Sequence, residues 1–216
     1  MISSWQTIPF VSVSPNASAK IYFTNQMRIS GGKARGIPLR ASKTLGLRPA
    51  SEANRERVFS SIGSEVQNKK VLDLFAGTGS YGLEALSRGA STASFVEKNR
   101  KVSADLKENL SRVQKSAQLD TASAQIFVRD VVDFLKTSSE HPYDLIFLDP
   151  PYNLINEICS PIFSSLRKNK FIHSETLLLH ERPVGELTIH DGWDLVRTLG
   201  KASKGSPVYH IFKLSS

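Results

Sequence analysis

Val71-Leu72-Asp73-Leu74-Phe75-Ala76-Gly77-Thr78-Gly79 decides how this chain folds. A short apolar run closing on two glycines reads as a buried parallel strand that turns sharply into a helix. Gly77 and Gly79 lack the β-carbons that would keep a ligand off the backbone. In open α/β sheets ligands sit outside the carboxyl ends of the strands, and this turn lies at such an end. Outward from it, apolar runs recur at 93–97, 126–130, 145–148 and 177–180, with helical patterns at 81–88, 100–113, 131–136 and 155–167 between them. Repeated strand–helix units predict an α/β fold, a mostly parallel sheet with helices on both faces. Segments 195–199 and 208–214 close it as an antiparallel hairpin, making seven strands.

A second stretch, Asp149-Pro150-Pro151-Tyr152, follows the run at 145–148. Two prolines fix φ and delete two amide donors, so this strand tip offers acceptors and almost no donors. Such a loop suits an exocyclic amine on a flat base, whose lone pair is delocalised into the ring. Asp149 and the carbonyl of Pro150 each take one amine hydrogen in this reading, Pro151 stiffens the turn, and Tyr152 stacks on the base. Catalysis would then be mostly proximity and preorganised electrostatics, with Asp149 collecting the proton late.

The glycine turn implies a nucleoside cofactor. Gly77-Thr78-Gly79-Ser80-Tyr81-Gly82 satisfies G-x-G-x-x-G, and Glu97 stands 20 residues beyond Gly77, where its carboxylate can accept ribose hydroxyls. This spacing alone fits both NAD and S-adenosylmethionine. Asp73 favours the second, because a carboxylate there repels a pyrophosphate and suits the ammonium of a methionine moiety. Phe75 belongs to the same turn. Asp130, at the end of the third strand, is placed for the adenine amino group, or else to cap the helix that follows.

The chain has 216 residues, enough for one substantial core and an appendage, and its net charge is +8. Residues 27–60 hold eight basic side chains against Glu52 and Glu56, so the surplus is concentrated in one segment. A block of this kind attracts polyanions by neutralising phosphates. Glycines at 31, 32 and 36 with Pro38 predict a small hairpin there, basic side chains outward. The helix after Pro49 puts Val58, Phe59 and Ile62 on one face and can still show Arg55 or Arg57 to a ligand. The single cysteine, Cys159, excludes an internal disulfide and fits a reducing compartment. Histidines at 141, 173, 180, 190 and 210 have no metal-ligand spacing, so no metal site is expected, and no apolar run is long enough to span a bilayer. Residues 1–26 have neither a secretory nor a transit pattern and read as a flexible tail or an overlong start. The expected division is therefore a tail (1–26), a basic hairpin and helix that attract a polyanion (27–63), and a catalytic domain (64–216).

With these residues in hand, the chain resembles the RsmD family of bacterial 16S rRNA guanine-N2 methyltransferases. The resemblance runs from Met27 to about Leu214 and rests on Met27-Arg28-Ile29-Ser30-Gly31-Gly32, Gly46-Leu47-Arg48-Pro49, Arg55-Glu56-Arg57-Val58-Phe59, 73–79, Gly82-Leu83-Glu84-Ala85-Leu86-Ser87-Arg88-Gly89 and 149–152. It implies a class I, Rossmann-like S-adenosylmethionine-dependent methyltransferase with a small basic N-terminal extension. It further implies methylation of one guanine amine in 16S rRNA on small-subunit particles, by a cytoplasmic monomer. Arg28, Lys33, Arg35, Arg40, Arg48 and Arg55 are the candidate RNA contacts. Three other readings compete. A DNA adenine-N6 methyltransferase would share the acceptor loop but needs an added recognition region, and the linkers here are short. A non-catalytic RNA-binding assembly factor has no use for Asp149 beside two prolines. An NAD-dependent dehydrogenase is disfavoured by Asp73.

Overall fold

The computed structural model describes residues 27–41, 52–184, 189–200 and 207–215. The expectations for residues 1–26, for Arg48 and for the Gly46–Pro49 signature lie outside them. Helix α1 (Glu52–Ile62) is followed by β1 (Lys70–Leu74), α2 (Ser80–Ser87), β2 (Thr92–Val96), α3 (Arg100–Ala117), β3 (Ala124–Phe127) and α4 (Val131–Phe134). Then come β4 (Tyr143–Leu148), α5 (Ile155–Lys168), β5 (Ile172–Pro183), β6 (Trp193–Leu199) and β7 (Pro207–Leu214). The seven strands form one sheet in the order β3-β2-β1-β4-β5-β7-β6. The first five are parallel, while β7 lies antiparallel between β5 and β6.

The strand order reverses between β1 and β4, whose registers pair Asp73 with Phe147 and Leu74 with Leu148. The turn after β1 and the loop after β4 therefore leave the sheet side by side. Alternation along the strands divides the core into two layers. One face carries Val71, Phe95, Phe147 and Leu179 under α1, α2 and α3. The other carries Leu72, Val96, Ile146 and Leu178 against α4 and α5.

Local chemistry sets the element ends. Asn99 caps α3 by accepting from Lys101 N and Val102 N, and Gln118 ends it in the left-handed conformation. The helix thus runs four residues past the predicted 113. In its last turn only Ala117 is buried, beside polar Gln114, Lys115 and Ser116, which hides the periodicity but not the helix. Asp130 ends the third strand earlier than predicted by capping α4, with Oδ1 2.9 Å from Val132 N. β5 extends well beyond 177–180 because β7 pairs with it as far as Pro183.

Residues 27–41 are a hairpin held by one bridge between Arg28 and Pro38 and do not stand apart from the catalytic part. Met27, Ile29, Ala34 and Leu39 share the first core layer with Leu83 and Leu86. Docking centres on Glu84, which is fully buried. Its carboxylate accepts from Ser30 N (2.8 Å), Ser30 Oγ (2.7 Å) and Gly31 N (2.8 Å), and pairs with Arg88 Nε at 2.9 Å. Arg55 Nε lies 3.8 Å from the same group.

Candidate active site

The turn after β1 is tightly wound. Phe75, Gly77 and Gly79 all have positive φ (59°, 55° and 84°), and for a bulky residue such as Phe75 that is a strained conformation of the kind found at ligand sites. A β-carbon on Gly77 would meet nothing closer than the Phe75 carbonyl oxygen at 3.9 Å, so the backbone there stays open to a ligand. Gly79 differs, since its β-carbon would fall 2.2 Å from Leu106 Cδ1 and 3.1 Å from Leu83 Cδ1. Gly82 must pack against the Phe95 ring, 2.3 Å from where its β-carbon would stand. Of the three pattern glycines, only Gly77 leaves room for a bound molecule.

Glu97, at the tip of β2, braces the turn by accepting from Gly77 N (3.0 Å) and from Asn99 N (2.7 Å). Each oxygen keeps a lone pair for a ribose hydroxyl. Asp73 is buried at 1% exposure and accepts from Gly82 N at 2.9 Å. Burial, reinforced by the charge of Glu97 and only partly offset by the Gly82 bond, pushes its carboxyl up to about 8. Asp130 gives one oxygen to the α4 cap and turns the other towards Lys98 at 3.7 Å. The buried carboxyl of Asp73 beside an open glycine backbone fits a nucleoside that carries positive charge, since an ammonium or sulfonium would relieve its cost of ionisation.

The loop after β4 supplies the opposite wall. Asp149 is half-buried, and among the described residues its carboxylate accepts no hydrogen bond. Desolvation, then Glu181, then Asp73 hold its carboxyl well above the usual carboxylate range. The β1–β4 register, which pairs Leu74 with Leu148, sets the two signatures on adjoining strand tips, and the charge of Asp73 is among the causes that raise Asp149. Pro150 is buried and Pro151 exposed, and the Pro151 carbonyl accepts from Leu154 N at 2.9 Å. Tyr152 is 47% exposed.

Three residues that the motifs did not reveal organise this region. Glu181 of β5 accepts from the hydroxyls of Tyr81 (2.8 Å), Tyr209 (2.7 Å) and Tyr152 (3.2 Å), fixing the ring of the acceptor loop. Strand alternation with Leu177 and Leu179 was the available signal for Glu181. Asn109 of α3 is fully buried and binds Arg40 N (2.7 Å), Arg40 O (3.0 Å) and Thr78 O (3.1 Å), tying the basic hairpin to the glycine turn. Glu84 is the third. Glu84 lies within the 82–89 signature without that stretch disclosing its role, and apart from Arg88 one turn on, the partners of Glu84 and Asn109 lie 29–69 residues away.

The basic candidates separate. Arg28, Lys33 and Arg35 are exposed. Arg40 is exposed but paired with Asp105 at 3.1 Å and Glu108 at 2.5 Å. Arg55 is a correction: it is 0% exposed, donates to the Arg28 carbonyl at 2.5 Å and faces Glu84, so it cannot reach RNA. Its spacing explains this, because 55, 58, 59 and 62 form one helical stripe and Arg55 lies on the core-facing side. Among the described residues no cluster could hold a metal ion, and no helix is long and apolar enough to cross a membrane.

Comparison with known proteins gives a consistent picture. The family model described as "Conserved hypothetical protein 95" matches residues 27–213. The ribosomal RNA small subunit methyltransferase D of Escherichia coli strain K12 is 33% identical over 192 residues, 88% of this chain and 91% of that protein. The Haemophilus influenzae protein of the same name is 34% identical, covering 76% of this chain and 82% of its own. A solved structure, the putative methyltransferase yhhF from Escherichia coli, superposes with a TM-score of 0.74 at 30% identity, covering 88% of this chain and 98% of that one.

Proposed function

The chain belongs to the RsmD family, and we propose that it methylates the exocyclic N2 amine of a specific guanine in 16S rRNA, using S-adenosylmethionine. The observation that carries this is the pairing of Gly77's open backbone and Asp73 with the unfilled acceptors of Asp149, on neighbouring strand tips at the point where strand order reverses. The relatives act, by their names, on small-subunit ribosomal RNA. Small-subunit particles in the cytoplasm are the proposed substrate, and a monomer the proposed active form.

When bound, S-adenosylmethionine would supply an activated methyl group on a sulfonium whose C–S bonding pair stays with sulfur. Asp73 would hold the amino-acid end, Glu97 would take the ribose hydroxyls, and Asp130 would serve the adenine. Asp149 and the Pro150 carbonyl orient the guanine amine so that its lone pair points at the methyl carbon. Asp149 then collects the amine proton. Its high proton affinity serves that late step, while the positive charge of the cofactor favours the carboxylate beforehand. Tyr152, held by Glu181, stacks on a base that an RNA loop already presents unpaired. Exposed Arg28, Lys33 and Arg35 contact phosphate.

The test is methyl transfer from labelled cofactor to 16S RNA, small subunits and DNA in parallel, followed by nucleoside identification. N2-methylguanosine in the RNA or the particle is expected. Label in DNA adenine, or none in RNA, would overturn the reading.

A further inference from the structure

Arg182 has no hydrogen bond or ion pair from its guanidinium among the described residues, although it is only 8% exposed. It belongs to the sheet face opposite Glu181, where a cavity of about 60 Å³ opens between α5 and the end of β5. Asn156, Cys159 and Ser160 line it from α5, His180 and Arg182 from β5, with His190 beside them. The cavity wall is rich in unanswered polar atoms. Arg182 Nη1, His180 Nδ1 and both ring nitrogens of His190 are buried without a partner among the described residues. His180 Nε2 lies 3.5 Å from Cys159 Sγ, and the Phe163 ring stacks on His190 with centroids 3.7 Å apart. His210, opposite His180 on β7, also keeps Nδ1 unpartnered.

Leaving a guanidinium N–H buried and unpaired is costly, and Nη1 of Arg182 is in that position among the described residues. Among the described residues no carboxylate lines the cavity and no cluster of three ligating residues could hold a metal ion, so a small anion is the partner these groups fit. Burial and Arg182 lower His180 to about 3 and His190 to about 4, so each enters as a neutral ring with one N–H to donate. The volume is that of about two waters, and the arginine fork matches a tetrahedral oxyanion. Exposed Asn156 and Ser160 mark the way in.

We propose that the cavity under α5 binds one phosphate group, held by Arg182, His180 and His190. Its place is suggestive of use. Arg182 directly follows Glu181, which fixes Tyr152, and Asn156 is four residues beyond Tyr152, so a phosphate bound here is anchored beside the acceptor loop. The group is either inorganic phosphate or a backbone phosphate of the nucleic acid.

Phosphate and chloride, at equal ionic strength, are compared by thermal unfolding and by the histidine ring resonances of the unsubstituted protein. Phosphate is expected to raise the melting temperature and to shift the His180 and His190 signals. Arg182→Gln and His190→Gln should each weaken half-saturation by about tenfold or more. Identical melting and unmoved resonances in phosphate, chloride and acetate would overturn the site. With the site present, competition of inorganic phosphate against RNA, together with weaker RNA binding by Arg182→Gln, assigns the ligand to the RNA backbone. Unaltered RNA binding by that variant assigns it to free phosphate. None of these readouts involves methyl transfer, so their failure leaves the proposed function standing.

Discussion

Half-buried Asp149 and fully buried Asp73 carry two carboxyls that resist ionisation, and each leads to a measurement. Asp149→Ala is predicted to hold S-adenosylmethionine within about threefold while turnover falls by roughly 10²–10⁴-fold, the range of a lost proton acceptor. Equilibrium binding and single-turnover assays separate the two, and undiminished turnover would remove Asp149 from the chemistry. Asp73 keeps its proton to about pH 8 when folded but releases it near pH 3.9 when unfolded. The folded state therefore binds more protons across that window, and stability is lost as pH rises towards 8. Asp149 acts in the same direction. His180, His190 and His210, all lowered, act oppositely, but only below the unfolded histidine value of about 6.5. Calorimetry of the ligand-free protein should therefore show melting temperature falling between about pH 6.5 and 8, with a shallower fall in Asp73→Asn. Equal slopes would contradict the assignment. At this scale the sequence disclosed residues whose meaning is local, such as Asp149 beside two prolines. Arg55 misled because a basic side chain in a basic segment looks solvated until its place on the 55, 58, 59, 62 stripe is weighed.

The elements that matter most are α2 and the turn that precedes it. α2 is buried along its whole length and receives the hairpin at Glu84, so removing that carboxylate takes the counter-charge from the buried Arg55 and from Arg88 and leaves two amides without their acceptor. Glu84→Ala is predicted to cost about 3–5 kcal/mol by denaturant titration; a loss below 1 kcal/mol, the level of a surface pair, would show that the cluster contributes little. The glycines make a paired test. Gly82→Ala forces a methyl onto the rigid Phe95 ring and should destabilise by about 1–3 kcal/mol. Gly77→Ala meets no protein atom closely, so its stability cost is only the roughly 1–2 kcal/mol of a β-carbon at a φ of 55°, and it should in addition weaken cofactor binding, by tenfold or more if a nucleoside approaches the backbone as about one lost interaction of 1.4 kcal/mol implies. Calorimetric binding that ranks the two variants the other way would reverse the roles given to these positions. Strands and helices were legible because apolar runs and 3.6-residue stripes are local patterns. Element ends were less so: the tail of α3, the cap at Asp130 and the length of β5 depend on capping and on a partner strand far along the chain.

At the scale of the molecule, the basic hairpin and the catalytic sheet are one body. The first core layer runs unbroken from Met27 to Ile211, and Asn109 joins Arg40 to the glycine turn. The expected boundary near residue 63 marks a change in charge, not a gap in packing. Composition reveals where charge lies but not which core it covers, and for that reason the hairpin read as an appendage. Replacing Arg35 alone should weaken RNA binding and flatten its dependence on salt, whereas Arg40, already paired with Asp105 and Glu108, should contribute less. Equal effects of the two alanine variants on the salt slope would contradict that ordering. The most direct test of the account is a crystal structure of the complex with S-adenosylhomocysteine. The account predicts the ribose on Glu97, the amino-acid end beside Asp73 and the sulfur facing Asp149 across the gap between the β1 and β4 tips. A ligand seated elsewhere, or a sulfur turned away from Asp149, would contradict it.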